Sequence, residues 1–246
     1  MRAFGLIGYP LSHSFSEKYF AQKFEKEGIK EAVYRAHPIA SIEQLPQLLK
    51  ENPHLMGLNV TIPYKEQVIP FLDELDPKAK EIGAVNTIKI QNGKLIGYNT
   101  DYDGFKDSLI KFIGPNPMPE KALILGTGGA SKAVMHVLND LGIDYQFVSR
   151  KPSKDQLNYE SLTQNSTLKT HHLVVNTTPL GTHPNTEQLP DLPYGQLTPN
   201  HFLFDLVYNP LITAFMQKGI DAKSWVKNGL EMLHGQAEKA WEIWQG

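Results

Sequence analysis

Four groups of residues in this chain have types and spacings suited to chemistry. The first is Gly126-Thr127-Gly128-Gly129-Ala130, set between the apolar run Ala122-Leu123-Ile124-Leu125 and a helical pattern carried by Ala133, Val134, Val137, Leu138 and Leu141. Glycine lets the backbone turn tightly and lets a diphosphate approach without striking a Cβ. The helix that follows offers free N–H groups and the positive end of its dipole. A second apolar run at residues 145–148 completes strand, glycine turn, helix and strand, the first half of a dinucleotide-binding unit. The third glycine of a full G-x-G-x-x-G would stand where the chain has Ser131, so the match is partial and a plain tight turn is the alternative. The second group is Ser149-Arg150-Lys151, with Lys154 beyond, at the end of that second strand. An NAD site usually carries an acidic residue there, whereas a guanidinium can grip a ribose 2′-phosphate with two hydrogen bonds. These residues favour NADP over NAD, against the alternative of a solvated basic loop.

The third group is Asn59, Thr61 and Lys65, at the end of an apolar strand expected over residues 55–62. Strands alternating with helices imply a parallel sheet, whose ligands sit at the carboxyl ends of the strands. A lone lysine after a strand is otherwise a surface charge. The fourth is Asp101, in Asn99-Thr100-Asp101 at the head of a helix expected to reach residue 113; it reads as a helix cap or as a catalytic carboxylate. Ser14 and Ser16, beside His13 and Phe15, stand before a helix expected over residues 17–27. Ser14 and Glu17 have capping-box spacing, so these hydroxyls read either as caps or as a pair facing a polyol or carboxylate.

The elements that must position these groups follow from pattern. Short strands are expected over residues 3–7, 32–36, 173–176, 202–207 and 221–226, and helices over 41–50, 155–162, 211–218 and from 228 to 244. Gly28 closes the first helix, Asp76-Pro77 opens a short one that Gly83 ends, and Asn92-Gly93 turns a hairpin between residues 87–91 and 95–98. Gly114-Pro115-Asn116-Pro117-Met118-Pro119 has linker composition. Leu230, Leu233, Ala237, Ala240 and Trp241 share a face of the last helix, which makes Trp241 and Trp244 core residues rather than ligand platforms.

Composition narrows the class. At 246 residues, with 41% hydrophobic and 20% charged, the chain suits one large or two modest domains with a real core. A formal charge of −2 argues against general nucleic-acid binding. No apolar run approaches membrane-spanning length, and the run after Met1-Arg2 is too short for a signal-peptide core. The absence of cysteine excludes disulfides, thiolate metal sites and a cysteine nucleophile, and fits a reducing cytoplasm. The nine histidines show no H-E-x-x-H spacing, and His171-His172 on a strand would point to opposite faces, so no metal is expected.

In their order along nearly the whole chain these motifs resemble the shikimate dehydrogenase family. His13-Ser14-Phe15-Ser16 looks like its H-S-x-S loop, Asn59-Val60-Thr61-Ile62-Pro63-Tyr64-Lys65 like its N-V-T-x-P-x-K, and Gly83 to Thr87, Asn99 to Asp101, Asn176 to Gly181, Asp205 to Pro210 and Asn228-Gly229 through Met232 and Gln236 match as well. The resemblance implies an α/β, two-domain fold: a substrate domain with a parallel-type sheet from residues 1–100 and 228–246, and a Rossmann-like NADP-binding domain over 101–227. It implies reversible NADPH-dependent reduction of 3-dehydroshikimate to shikimate. Carried over by position, Ser14, Ser16, Thr61, Asn86, Asp101, Tyr208 and Gln236 would contact the substrate, and Lys65 with Asp101 would be the acid–base pair. Gly126, Thr127, Gly128, Gly129, Ala130, Ser149, Arg150, Lys151, Leu206 and Gly229 would contact NADP. The expected partner is a small-molecule substrate, with no nucleic acid or membrane, in a monomer or homodimer located in the cytoplasm.

Three departures stand out. The family's N-R-T after the second nucleotide strand is Ser149-Arg150-Lys151; Pro77 stands where many members have an acidic residue; and the stretch between Arg150 and Leu173 is short. Two rivals follow: a quinate/shikimate dehydrogenase with broader cofactor use, and an NADP-binding regulator without turnover, which would have no reason to keep Lys65 and Asp101.

Overall fold

A computed structural model describes residues 1–11, 15–164 and 166–246. The chain forms two compact units, residues 1–100 with 237–246, and residues 101–236. The last helix therefore divides between them, returning to the first unit at Ala237 rather than at its own start.

The first unit contains β1 (Arg2–Gly8), α1 (Phe15–Lys26), β2 (Ala32–Pro38), α2 (Leu45–Glu51), β3 (Leu55–Val60), β4 (Glu74–Leu75), α3 (Pro77–Ile82), β5 (Thr87–Gln91) and β6 (Lys94–Tyr98). Its sheet has the order β2-β1-β3-β5-β6-β4. β1 lies parallel to β2 and β3, but β5 runs antiparallel to both β3 and β6. The expected parallel character thus holds for the first three strands and gives way at the hairpin. Asn92 and Gly93 both take positive φ, 54° and 77°, the geometry of a two-residue turn that joins antiparallel strands. Asp76 accepts from the N–H of Lys78 at 2.9 Å. Pro77 opens α3, and Gly83 closes it at φ 68°. The first turn before α2 is a short 3-10 helix, Ile42–Gln44, with Ser41 and Gln44 forming a capping box.

Side chains alternate across β1. Phe4 and Leu6 join an aromatic cluster with Phe20, Phe24, Tyr34, Trp241 and Trp244. Ala3 and Ile7 meet the aliphatic core of Leu58, Val60, Val68, Val85 and Ile88 on the other face. Trp244 comes from α8 (Leu230–Gln245), stacks on Phe4 at 4.9 Å and donates its indole N–H to the Ile88 carbonyl at 2.9 Å. Both tryptophans of this helix are core residues, as the helical pattern indicates.

The second unit is a five-stranded parallel sheet, order β11-β10-β9-β7-β8. Its elements are α4 (Thr100–Ile113, entering from the last residue of the first unit), β7 (Lys121–Leu125), α5 (Gly129–Asp140), β8 (Asp144–Val148), α6 (Tyr159–Gln164), β9 (Leu173–Asn176), β10 (Phe202–Asp205), α7 (Ala214–Asp221) and β11 (Trp225–Lys227). Leu123, Leu125, Val174 and Leu203 are wholly buried, as strands covered on both faces require. α7 begins three residues later than the apolar pattern suggests because Thr213 caps it, accepting from the N–H of Met216 at 3.2 Å. Leu211 and Ile212, which would have opened the helix, are exposed. Among the described residues no helix is long and apolar enough to cross a membrane.

Gly57 on β3 lies directly beneath the Trp244 indole, and an added methyl would collide with it. Gly57→Ala is expected to displace the indole, break its bond to Ile88 and lower the unfolding free energy by about 1–3 kcal/mol in a urea titration. An unchanged midpoint would show that the helix adjusts without cost.

Candidate functional site

In the first unit the strand ends are held by one continuous polar network. Thr61 N–H donates to the Ile7 carbonyl at 2.9 Å, and Tyr9 N–H donates to the Ile62 carbonyl at 3.1 Å. The Tyr9–Pro10 and Ile62–Pro63 bonds are cis. Gly8 presses on the Thr61 methyl so closely that a Cβ there would clash. Val85 N–H donates to the Lys65 carbonyl at 2.7 Å, which fixes the Lys65 backbone next to the Asn86 strand. Lys65 itself is partly buried.

Asn59 is buried at the end of β3. Its amide donates to the Asn86 carbonyl at 3.3 Å and to the Thr87 hydroxyl at 3.1 Å, while its oxygen accepts from the Tyr34 hydroxyl at 2.7 Å. Ser16 lies in the first turn of α1, not at its cap. Ser14 lies outside the described residues, and so does its capping-box reading. Asn86 reaches forward: its side-chain oxygen accepts from Thr100 N–H at 2.7 Å and its amide donates to the Thr100 hydroxyl at 3.0 Å. α4 therefore takes its N-terminal partner from Asn86. Asp101, read as a possible cap, is the second residue of α4 and is buried.

In the second unit the strand order reverses between β7, which leads to β8 on one side, and β9 on the other. That reversal opens a crevice at the carboxyl ends of the strands. Gly126 leaves β7 with φ 102°, and a Cβ there would lie 2.9 Å from the Thr178 methyl. Thr177 closes the other wall, its hydroxyl donating to the Leu125 carbonyl at 2.7 Å. Gly128 precedes α5 in an extended conformation, no side chain caps the helix, and the space where its Cβ would stand is open. Thr127 and Gly128 are exposed, Gly129 and Ala130 half-buried. Ser131, the departure from the glycine fingerprint, is buried and donates its hydroxyl to the Gly128 carbonyl at 2.6 Å, so the turn is closed by a hydrogen bond.

After β8 the Ser149 hydroxyl accepts from Lys151 N–H at 3.2 Å, and Arg150 and Lys151 are exposed. Leu206 N–H donates to the Asn176 carbonyl at 2.9 Å, and Gly229 packs against the Leu206 carbonyl so tightly that only glycine fits. Tyr208 is half-buried, which raises its phenol above the ordinary range. Gln236 is buried, and its amide donates to the Leu233 carbonyl at 3.0 Å. α4 meets this part of α8 through glycines: a Cβ on Gly104 would lie 2.6 Å from the Met232 carbonyl oxygen and 2.9 Å from the Gln236 backbone nitrogen. Asp101 sits one turn before Gly104.

Two residues of consequence carry little local signal. Tyr34 is one aromatic in a strand. Asp205 is the last residue of β10, wholly buried, accepting from the Asn176 amide at 2.9 Å, Val207 N–H at 3.0 Å and the Thr213 hydroxyl at 2.6 Å. Burial pushes its carboxyl up to about 6 against these donors. Locally it shows only as an aspartate ending an apolar run, although it opens the Asp205 to Pro210 motif of the family resemblance. No group of three or more histidine, aspartate or glutamate side chains among the described residues could hold a metal ion.

A mixed-sheet α/β unit followed by a parallel unit with a glycine turn at its strand reversal defines a two-unit α/β protein of the nucleotide-binding kind. The family model of the shikimate dehydrogenase substrate binding domain matches residues 6–88. Shikimate dehydrogenase (NADP(+)) of Clostridium beijerinckii is 41% identical, the alignment covering 100% of this chain and 92% of that one. The structure of shikimate 5-dehydrogenase from Thermus thermophilus in complex with NADP(H) and shikimate superposes with a TM-score of 0.82 at 32% identity, over 100% of this chain and 94% of that one. Quinate dehydrogenase from Corynebacterium glutamicum in complex with NAD gives a TM-score of 0.88 at 26% identity, over 100% and 94%. The chain belongs to the shikimate dehydrogenase family.

Asp205 gives a pH test. Its folded value of about 6 stands above the ordinary 3.8, so its contribution to stability is present below pH ~4 and lost as pH rises through 6. Asp205→Asn has no such titration. Its unfolding free energy relative to the native chain is expected to improve by ~2–3 kcal/mol between pH 4 and pH 7. A difference that stays flat over that window would remove the raised carboxyl.

Proposed function

We propose that this protein catalyses the reversible NADPH-dependent reduction of 3-dehydroshikimate to shikimate, the shikimate dehydrogenase step of aromatic amino-acid (chorismate) biosynthesis, working in the cytoplasm as a monomer or homodimer. The observation that carries the reading is the open glycine turn at the strand reversal, within a chain whose family relative was solved with NADP(H) and shikimate. The residues fit the nucleotide. Gly128 leaves room for a diphosphate, the uncapped start of α5 offers N–H donors, and the next strand ends in exposed Arg150 and Lys151 rather than an acid. Gly126, Thr127, Gly128, Gly129 and Ala130 would hold the diphosphate; Ser149, Arg150 and Lys151 the 2′-phosphate; Leu206 and Gly229 the remainder. Bound NADPH supplies the hydride.

The chain's own residues do the rest. Ser14, Ser16, Thr61, Asn86, Tyr208 and Gln236 would hold the carboxylate and hydroxyls of the substrate. The ketone oxygen gains negative charge as the carbonyl is reduced. The Lys65 ammonium stabilises that charge and delivers a proton. The Asp101 carboxylate orients Lys65 and binds a substrate hydroxyl. In the direction of shikimate oxidation the same lysine takes the proton back.

A quinate/shikimate dehydrogenase with wider cofactor use is the second reading, favoured by the match to the quinate dehydrogenase solved with NAD. Absorbance at the nicotinamide band decides between them. Reduction with shikimate and NADP, and little with NAD or quinate, is the expected result. Equal rates with quinate or NAD would move the assignment to the broader enzyme. Binding of NADPH without any reduction would leave a regulator. Lys65→Ala is expected to cut turnover by roughly 10²-fold or more with little change in NADPH affinity. A variant of nearly native activity would take Lys65 out of the scheme.

A further inference from the structure

We infer that Asn176 is a positioning residue of the cofactor side: held by Asp205, its side-chain oxygen fixes Thr178, and Thr178 braces the glycine turn at Gly126. This rests on the proposed function, in which that turn holds the diphosphate of NADPH.

Gly126 leaves β7 at φ 102° and has no side chain of its own to hold it there. Its N–H donates to the Val148 carbonyl at 2.9 Å, and its close side-chain neighbours are two threonines. A Cβ on Gly126 would lie 3.0 Å from the Thr177 hydroxyl oxygen and 2.9 Å from the Thr178 methyl. The two threonines are held differently. Thr177 belongs to β7: its N–H and its hydroxyl both donate to the Leu125 carbonyl, at 3.0 Å and 2.7 Å. Thr178 belongs to Asn176, whose side-chain oxygen accepts the Thr178 N–H at 3.1 Å and the Thr178 hydroxyl at 2.7 Å. With its hydroxyl tied on that side, Thr178 turns its methyl to Gly126.

The direction of the Asn176 amide follows from valence. The Thr178 N–H can only donate, so the amide oxygen must face it and the NH2 group must face the other way. That group donates to Asp205 Oδ1 at 2.9 Å. The same carboxyl oxygen takes the Val207 N–H at 3.0 Å, and the second takes the Thr213 hydroxyl at 2.6 Å. An ionised carboxylate accepts from all three donors and has no proton to turn against them. Asn176 and Asp205 are wholly buried, so a reversed amide would leave the Thr178 N–H and the carboxylate without their partners. A tie that served the core alone would need only the Asp205 half, since Val207 and the cap of α7 are met without Thr178. The oxygen half makes both its bonds to Thr178, on the loop that faces the glycine turn. A cofactor then meets a Gly126 already confined, and part of the ordering is done before binding.

The test is Asn176→Ala in the full chain, read by titration of NADPH through its nicotinamide fluorescence without substrate, and by steady-state kinetics with shikimate and NADP varied in turn. The NADPH dissociation constant and the Michaelis constant for NADP are expected to rise ~5–10-fold, as loss of a positioned hydrogen bond would give, with kcat and the shikimate constant within about twofold of native. Thr178→Ser keeps the hydroxyl on Asn176 and removes only the methyl that faces Gly126. It is expected to keep a near-native thermal midpoint and to raise the NADPH constant ~3–5-fold, the weight of one packed methyl. Thr213→Val is the stability control: it removes a hydroxyl from the same carboxylate, and the cap of α7, without touching Thr178. It is expected to lower the thermal midpoint and leave the NADPH constant within about twofold of native. An NADPH constant within about twofold of native in either Asn176→Ala or Thr178→Ser overturns the proposal, and Thr178→Ser decides alone if Asn176→Ala does not fold. So does an equal rise in Thr213→Val, which would reduce Asn176 to a core tie. Failure of the native chain to bind NADPH would overturn the functional reading itself, and this one with it, a result plainly distinct from native binding that the variants leave unchanged.

Discussion

A buried amide must find partners for two donors and an oxygen, and the first unit is arranged around one that does. Asn59, at the end of β3, binds Tyr34 on one side and the Asn86 carbonyl and Thr87 hydroxyl on the other. Leaving such a group unpaired costs about 1–3 kcal/mol, so the strands that supply its partners cannot slide independently. Asn86 extends the constraint to Thr100 and thereby fixes where α4 begins. The position of Asp101 follows from that start. Residues far apart in the chain are located by the requirement that a few polar atoms inside the sheet be satisfied.

The second unit repeats the device with a different centre. Asn176 ends β9 as Asn59 ends β3. Its amide binds Asp205 at 2.9 Å, and its oxygen accepts from Thr178 N–H at 3.1 Å and from the Thr178 hydroxyl at 2.7 Å. Thr178 stands against Gly126, and Asp205 holds Val207 N–H and the Thr213 cap of α7. The glycine turn and the loop carrying Leu206 and Tyr208 are thus tied by a single buried chain. The raised carboxyl of Asp205 is the cost of putting an acid at its centre: three donors offset the burial only in part.

What could be read in the sequence was what local physics decides. Asn92-Gly93, Asp76-Pro77, Gly83 and Gly28 each act within a turn or a helix end, and each does so here. The glycine turn and the apolar strands around it are equally local. The late start of α7 was hidden because Thr213 competes with an apolar Leu211-Ile212 pair that turns out to be exposed. β4 is two residues long and exists through its pairing with β6. The mixed sheet follows from a hairpin whose partner strand, β3, lies well upstream in the chain. Tyr34 and Asp205 act through partners distant in the chain, and no periodicity encodes a side-chain hydrogen bond across that separation. The motif order along the chain proposes the residues of the site; the fold shows the hydrogen bonds around those it describes.

The two units prepare for their ligands by opposite means. The first fixes side chains by saturating their hydrogen bonds, so that Asn59 and Asn86 are ordered before anything binds. The second removes side chains so that backbone can approach: Gly126 and Gly128 leave space, and the uncapped α5 leaves donors. A small polyol is told from its relatives by single hydroxyls, and a site whose polar atoms are already directed rejects a misplaced one strongly. A diphosphate presents the same charged oxygens in every nucleotide, so a backbone cradle suffices for it, and under the proposed function the choice between nucleotides would fall to the strand end at Ser149, Arg150 and Lys151. Arg150 and Lys151 at that end are exposed, whereas Asn86, Asp101 and Gln236 are buried. By this reasoning cofactor preference can change through a few surface residues without disturbing either core, while substrate preference cannot change without redrawing a buried hydrogen-bond chain.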